Sequence, residues 1–157
     1  MTLWADGDSL QAELRNLICR RARREAEAAA SRGGEPLFRA VFVAARMPPL
    51  DMGPGVEAIL APNADDRIAE SSAAGDLAVT RDLPLAERLA ERGLRVLNDR
   101  GDLFTAGNAR ERRSLRDRAL ELRALGLVPE SRRSSSWGRR ELKAFADALD
   151  RELAKAT

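Results

Sequence analysis

The sequence predicts an α/β fold, a three-layer sandwich in which a mostly parallel sheet of about five strands carries helices on both faces. Three observations predict it. Short apolar runs alternate with stretches of helical periodicity along the chain, the pattern of successive βαβ units. At 157 residues the chain suits one domain with an ordinary core, and we expect 1–157 to form a single unit. The first strand runs into a helix through two carboxylates, Leu3-Trp4-Ala5-Asp6-Gly7-Asp8, as at the carboxyl edge of an open parallel sheet.

From Ser9 the residues Leu10, Leu14, Leu17, Ile18 and Ala22 share one helical face through Ala30, and Gly33-Gly34 ends that helix. Residues 37–45 are rich in Val and Phe with little polar face, which predicts a buried strand. The prolines and glycines of 47–55 predict a loop, and 56–60 a third strand closed by Pro62. Asn63 can cap a short helix whose first turn holds Asp65 and Asp66 and which stops at Gly75. A brief strand follows with an acid at each end, Asp76 and Asp82. At about 3.3 Å per residue these two lie too far apart for one site. In a parallel sheet Asp82 joins Asp6 and Asp8 at the carboxyl edge, and Asp76 is left a structural role.

Pro84 lies just inside the next helix, so Asp82 also reads as its cap. Residues 94–97 make a fifth strand, with Asn98-Asp99-Arg100-Gly101 as the turn on the site side. Asn108 and Glu111 have capping-box spacing, and the helix beyond is expected to bury Leu115, Ala119, Leu122 and Leu125. Its other side carries Arg110, Arg112, Arg113, Arg116 and Arg118, a phosphate-reading face or a set of helix charge pairs. A mobile loop is expected at 130–136, then a docked C-terminal helix over 137–155, burying Leu142, Phe145, Ala146, Leu149 and Leu153.

The chain has no His, no Tyr, one cysteine, and Lys only at Lys143 and Lys155. Ser-His-Asp and Cys-His catalysis and His or multi-Cys zinc sites are thereby excluded. Carboxylate chemistry remains, and oxygen-only donors suit Mg²⁺ or Mn²⁺. Asp8 can equally be a helix N-cap with Gln11 three residues on. No apolar run approaches a membrane span and no signal segment is evident, so we expect a cytoplasmic protein with no membrane partner.

Several motifs carry a resemblance: the acid-ended first strand, Ala64-Asp65 with Ile68, residues 75–86, Leu97-Asn98-Asp99-Arg100-Gly101, Arg110-Glu111-Arg112 and Lys143-Ala144-Phe145-Ala146. Over nearly its full length the chain resembles the YaiI/YqxD family of bacterial proteins, which is grouped with PIN-like domains. The resemblance implies acids clustered around Mg²⁺ or Mn²⁺ in a fold that often cuts RNA. It puts Asp6, Asp8, Asp65 and Asp82 at the site as catalytic and metal-holding residues. Thr80, Asn98 and Arg100, with Arg110 and Arg112, fall on the substrate side. The chain departs from the family's Asp-Ala-Asp-Ala-Cys-Pro at Ser9-Leu10-Gln11, and from its Val-Ala-Asn at Ala45. A positioning Asn is therefore not carried over.

Three functions follow as expectations. The first is a metal-dependent nuclease acting on RNA or another nucleic acid. The second is a non-catalytic nucleic-acid-binding or regulatory module of the same fold. The third, a haloacid-dehalogenase-like phosphohydrolase, rests on Asp6-Gly7-Asp8-Ser9 but lacks a Lys before Lys143.

Overall fold

The computed structural model describes residues 1–127 and 136–156. Side chains alternate across a strand, so β1 (Thr2–Asp6) sends Leu3 and Ala5 to one face and Trp4 to the other, each into its own core. Asp6 continues the Trp4 face. The same alternation in β2 (Arg39–Ala44) and β4 (Leu77–Val79) buries both faces, and the apolar runs follow from it.

Six strands form one sheet in the order β3-β2-β1-β4-β5-β6, with β3 at Val56–Leu60, β5 at Arg95–Leu97 and β6 at Leu103–Phe104. The first five are parallel; β6 pairs antiparallel with β5. The expected five strands become six because a tight turn after β5 folds two more residues back onto it. Asn98 closes that turn, its Oδ1 accepting from the Arg100 and Asp102 N–H groups at 3.0 and 2.9 Å. Gly101 has φ +83°, and a Cβ there would stand 2.7 Å from the Ala144 carbonyl oxygen, so only glycine lets the turn approach the last helix so closely.

Helices α1 (Ala12–Arg32) and α5 (Arg139–Ala154) cover one face through Leu14, Ile18, Phe145 and Leu149. On the other lie α2 (Ala64–Ser71) and α3 (Leu83–Glu91), with α4 (Ala109–Ala124) beyond α3. The sandwich is as the sequence predicted, and α5 packs on it through Phe145 and Leu149. The loop expected at 130–136 lies, apart from Ser136, outside the described residues.

Three local expectations are corrected. Helix α1 starts at Ala12, not Ser9, and Asp8 is not its cap: residues 7–9 form a turn, with the Gly7 N–H on the Val43 carbonyl and the Ser9 N–H on the Asp6 carbonyl. Asn108 does not cap α4 with its side chain. That amide accepts from the Thr105 N–H and donates to the Leu103 carbonyl, bracing the approach from β6. Helix α4 also does not dock through its leucines. Leu115 is 56% and Leu125 70% exposed, and among the described residues only Ala109 of this helix is buried. It is held by charge instead: Arg113 and Arg116 both pair with Glu87 of α3, which is 3% exposed, and Arg112 stacks on Phe104 at 4.7 Å.

Candidate functional site

Strand β1 has β2 on one side and β4 on the other, so the chain winds away from β1 in both directions. Ligands in open α/β sheets bind at such a switch point, outside the carboxyl strand ends. Asp6 ends β1, and Thr80 follows β4 immediately alongside.

Asp6 is 4% exposed and Thr80 1%. The Thr80 hydroxyl donates to Asp6 Oδ2 at 2.8 Å and accepts the Asp82 N–H at 3.0 Å, joining the ends of two strands. Burial pushes the Asp6 carboxyl above the usual carboxylate range; hydrogen bonds from Thr80 and Ser9 oppose this, and the Asp8 charge adds to it.

Asp65 enters from the first turn of α2, where Asn63, not Asp65, makes the cap by accepting from the Asp66 N–H. No hydrogen bond or ion pair holds the Asp65 carboxyl among the described residues. Its pKa is raised by burial, then by Asp82 and Asp6, with Arg88 opposing. Asp82 caps α3, its Oδ1 accepting from the Leu85 N–H at 3.1 Å. Asp8 turns toward the end of β2 and accepts from the Ala45 and Arg46 N–H groups at 2.7 and 3.3 Å.

The fold thus brings Asp6, Asp65, Asp82 and Thr80 to one mouth, with Asp8 on its β2 side. Among the described residues none of the four acids lies in a salt bridge, although 14 such bridges occur elsewhere. In a chain this rich in Arg, that isolation sets the mouth apart. Among the same residues no three carboxylate or thiolate groups come together closely enough to hold one metal ion.

The remaining predicted residues fall elsewhere. Asn98 has its side chain committed to the β5–β6 turn. Arg100 reaches Glu141 of α5 at 3.7 Å. Arg112 lies on Phe104, and Arg110 is exposed at the start of α4. Asp76 has the structural role expected of it, accepting from the Thr2 N–H, the Trp4 indole N–H and the Ala73 N–H at 3.0, 3.0 and 3.1 Å.

Sequence reasoning missed Arg81, Asp99 and Trp137. These border a cleft of about 350 Å³ with Asn98 and Arg100, on the β5 side of the acids. Arg81 and Asp99 stand in motifs already singled out, but nothing local joined them to Trp137. Another cleft, of about 310 Å³ with Phe38 and Leu153 on its walls, lies at the opposite edge of the sheet and away from the acids. No helix of the described chain is long and apolar enough to cross a membrane.

Comparison with known proteins places the chain. The family model described as "Uncharacterized BCR, YaiI/YqxD family" matches residues 40–155. A UPF0178 protein of Treponema pallidum (strain Nichols) is 45% identical over 159 aligned positions, covering 99% of this chain and 82% of that protein. The UPF0178 protein of Treponema denticola is 37% identical, covering 99% of this chain and 94% of its own length. The UPF0178 protein of Psychromonas ingrahamii is 34% identical, with 99% and 97% covered. No solved structure matches. The chain therefore belongs to the YaiI/YqxD family.

Proposed function

We propose that the mouth at the carboxyl ends of β1 and β4 takes a divalent cation, Mg²⁺ or Mn²⁺, and serves a nuclease-like hydrolysis of RNA or another nucleic acid, in the manner of a PIN-like domain. One observation carries the reading: Asp6, Asp65 and Asp82 come from three crossings of the chain to one mouth, and none has an ion-pair partner among the described residues. Burial first, and neighbouring acids after it, raise the pKa of Asp6 and Asp65, and a cation would relieve the repulsion. The donors are all hard oxygens. Mg²⁺ is commonly held by one or two carboxylates together with water and substrate phosphate, so a site built on two protein carboxylates suffices.

In this reading Asp6 and Asp65 hold the ion, Thr80 fixes the Asp6 carboxyl, and Asp82 adds negative charge beside Asp65. The ion, when bound, would activate water and neutralise the leaving oxygen. Arg81 follows Thr80 directly after β4, beside the mouth, where its guanidinium could meet a phosphate backbone.

Titration calorimetry with Mn²⁺ tests the site, and cleavage of single-stranded RNA in Mn²⁺ tests the activity. Asp6→Asn and Asp65→Asn are expected to weaken Mn²⁺ binding at least tenfold, and Asp6→Asn and Asp82→Asn to abolish cleavage. Equal cleavage by wild type and both variants would remove the proposal. The absence of a three-ligand group among the described residues, with Asp8 and Asp82 already engaged by backbone N–H groups, favours a second reading, a non-catalytic nucleic-acid-binding module. RNA binding without Mn²⁺ binding would decide for it. A dehalogenase-like mechanism finds less support, because Asp8 is held by two N–H groups and Lys143 pairs with Asp147 on the exposed side of α5.

A further inference from the structure

We infer that the cleft beside the acids is a nucleotide subsite, in which a base stacks on the Trp137 indole with its amino edge toward Asp99 while its phosphate meets Arg81. The inference rests on the nucleic-acid reading above and names the part of the substrate that this face would hold.

The cleft, of about 350 Å³, is the right size for one nucleotide unit. Trp137 is half-buried. Its indole N–H donates to the Asp99 carbonyl at 2.8 Å, which fixes the ring, and the ring both packs on the core beneath and borders the cleft. An aromatic face fixed in this way stacks any base and is sequence-tolerant.

Asp99 supplies the polar reading. It is 8% exposed, and its Oδ2 takes the Gln11 amide at 2.8 Å and the Arg81 Nε at 3.3 Å. No described group donates to its Oδ1. A carboxylate oxygen left open in a cleft accepts an N–H, and the exocyclic amines of guanine, adenine and cytosine provide one. Uracil has no exocyclic amine, and its N3–H stands between two carbonyl oxygens that a carboxylate repels.

Arg81 connects the cleft to the mouth. Its backbone N–H donates to the Ser9 hydroxyl at 3.2 Å and its Nη1 to the Ser9 carbonyl at 3.5 Å, so the guanidinium is tethered between Ser9 and Asp99. Its Nη2 meets no acceptor among the described residues, and the side chain is 51% exposed. A phosphate on Nη2 would lie between the stacked base and the acids, as a scissile linkage requires.

The two tryptophans make the test clean. Trp4 is 7% exposed and bonded to Asp76 beneath the sheet, so a saturable change in emission reports Trp137. Guanosine monophosphate titrated in EDTA is expected to quench the emission saturably, and uridine monophosphate to bind several-fold more weakly. Calorimetry of Trp137→Ala should show affinity lower by about tenfold or more. Arg81→Gln should remove the preference for guanosine monophosphate over guanosine. No saturable quench, or the same quench from ribose phosphate alone, overturns the inference. The chelator separates the two ideas: quenching without any Mn²⁺ affinity keeps the subsite and removes the metal site, and Mn²⁺ affinity without quenching does the reverse.

Discussion

Replacing Asp76 by Ala should cost several kcal/mol, and replacing Asp6 by Asn should cost nothing, although both acids flank strands of one sheet. Asp76 accepts three hydrogen bonds that fasten the start of β1 to the segment leading into β4. Trp4 is 7% exposed, so the alanine leaves its indole N–H buried and unpaired, at about 1–3 kcal/mol. The Thr2 and Ala73 N–H groups can turn to water, and each loses only about 0.5–1.5 kcal/mol. Three bonds to one carboxylate do not add fully, and the sum is about 3 kcal/mol. For a chain of 157 residues that lowers Tm by roughly 6–12 °C. Asp6→Asn keeps an acceptor for the Thr80 hydroxyl and removes a charge that burial and Asp8 disfavour, so its Tm at neutral pH should stay level or rise. Thermal and urea unfolding of both variants, with unchanged urea m values, is the assay. An Asp6→Asn loss as large as that of Asp76→Ala would make Asp6 a structural acid like Asp76, and the proposed site would lose its central residue.

The raised pKa values of Asp6 and Asp65 have a defined sign in the pH dependence of stability. Between the unfolded carboxylate value of about 3.9 and the raised folded values, the native chain binds more protons, so this contribution is present at low pH and lost as pH rises through the window. The stability difference between wild type and Asp6→Asn/Asp65→Asn should therefore move against the wild type with rising pH, and Mn²⁺ should reverse it; a difference flat in pH refutes the coupling. On α4, Leu120→Gln should change stability by less than about 0.5 kcal/mol, because Leu120 is 53% exposed, whereas Phe145→Ala on α5 should cost about 3–5 kcal/mol. Similar costs at the two positions, measured in urea, would show that α4 docks through its leucines after all.

The fold was legible wherever a local pattern has only one structural use. Valine-rich runs between helical stretches can hardly be other than buried parallel strands, and Gly33 and Pro84 stand where α1 ends and α3 begins. Helix α4 was misread because the leucine spacing states which side is apolar but not whether a layer exists to receive it. The sheet ends at the two-residue β6, and Glu87 on α3 draws the helix in by its arginines instead.

The acids were legible as residues of one sheet edge but not as neighbours, for a related reason. Asp82 as a cap is local, since its partner is Leu85. The bond that makes Asp6 part of a mouth comes from Thr80, 74 residues away, and exists only because β4 lies against β1. Sequence order gives no sign of that neighbour: each successive strand could have been added beyond β3, and Asp82 would then sit several strands from Asp6. The reversal of winding direction after β3 brings one strand-end acid and two helix-start acids to the same mouth. The chemistry proposed for this mouth therefore depends on topology first and on residue type second. A circular permutant that keeps the β1–β4 pairing should keep the Asp6–Asp65 coupling, and a substitution that loosens that pairing, such as Thr80→Val, should weaken Mn²⁺ binding with every carboxylate still present.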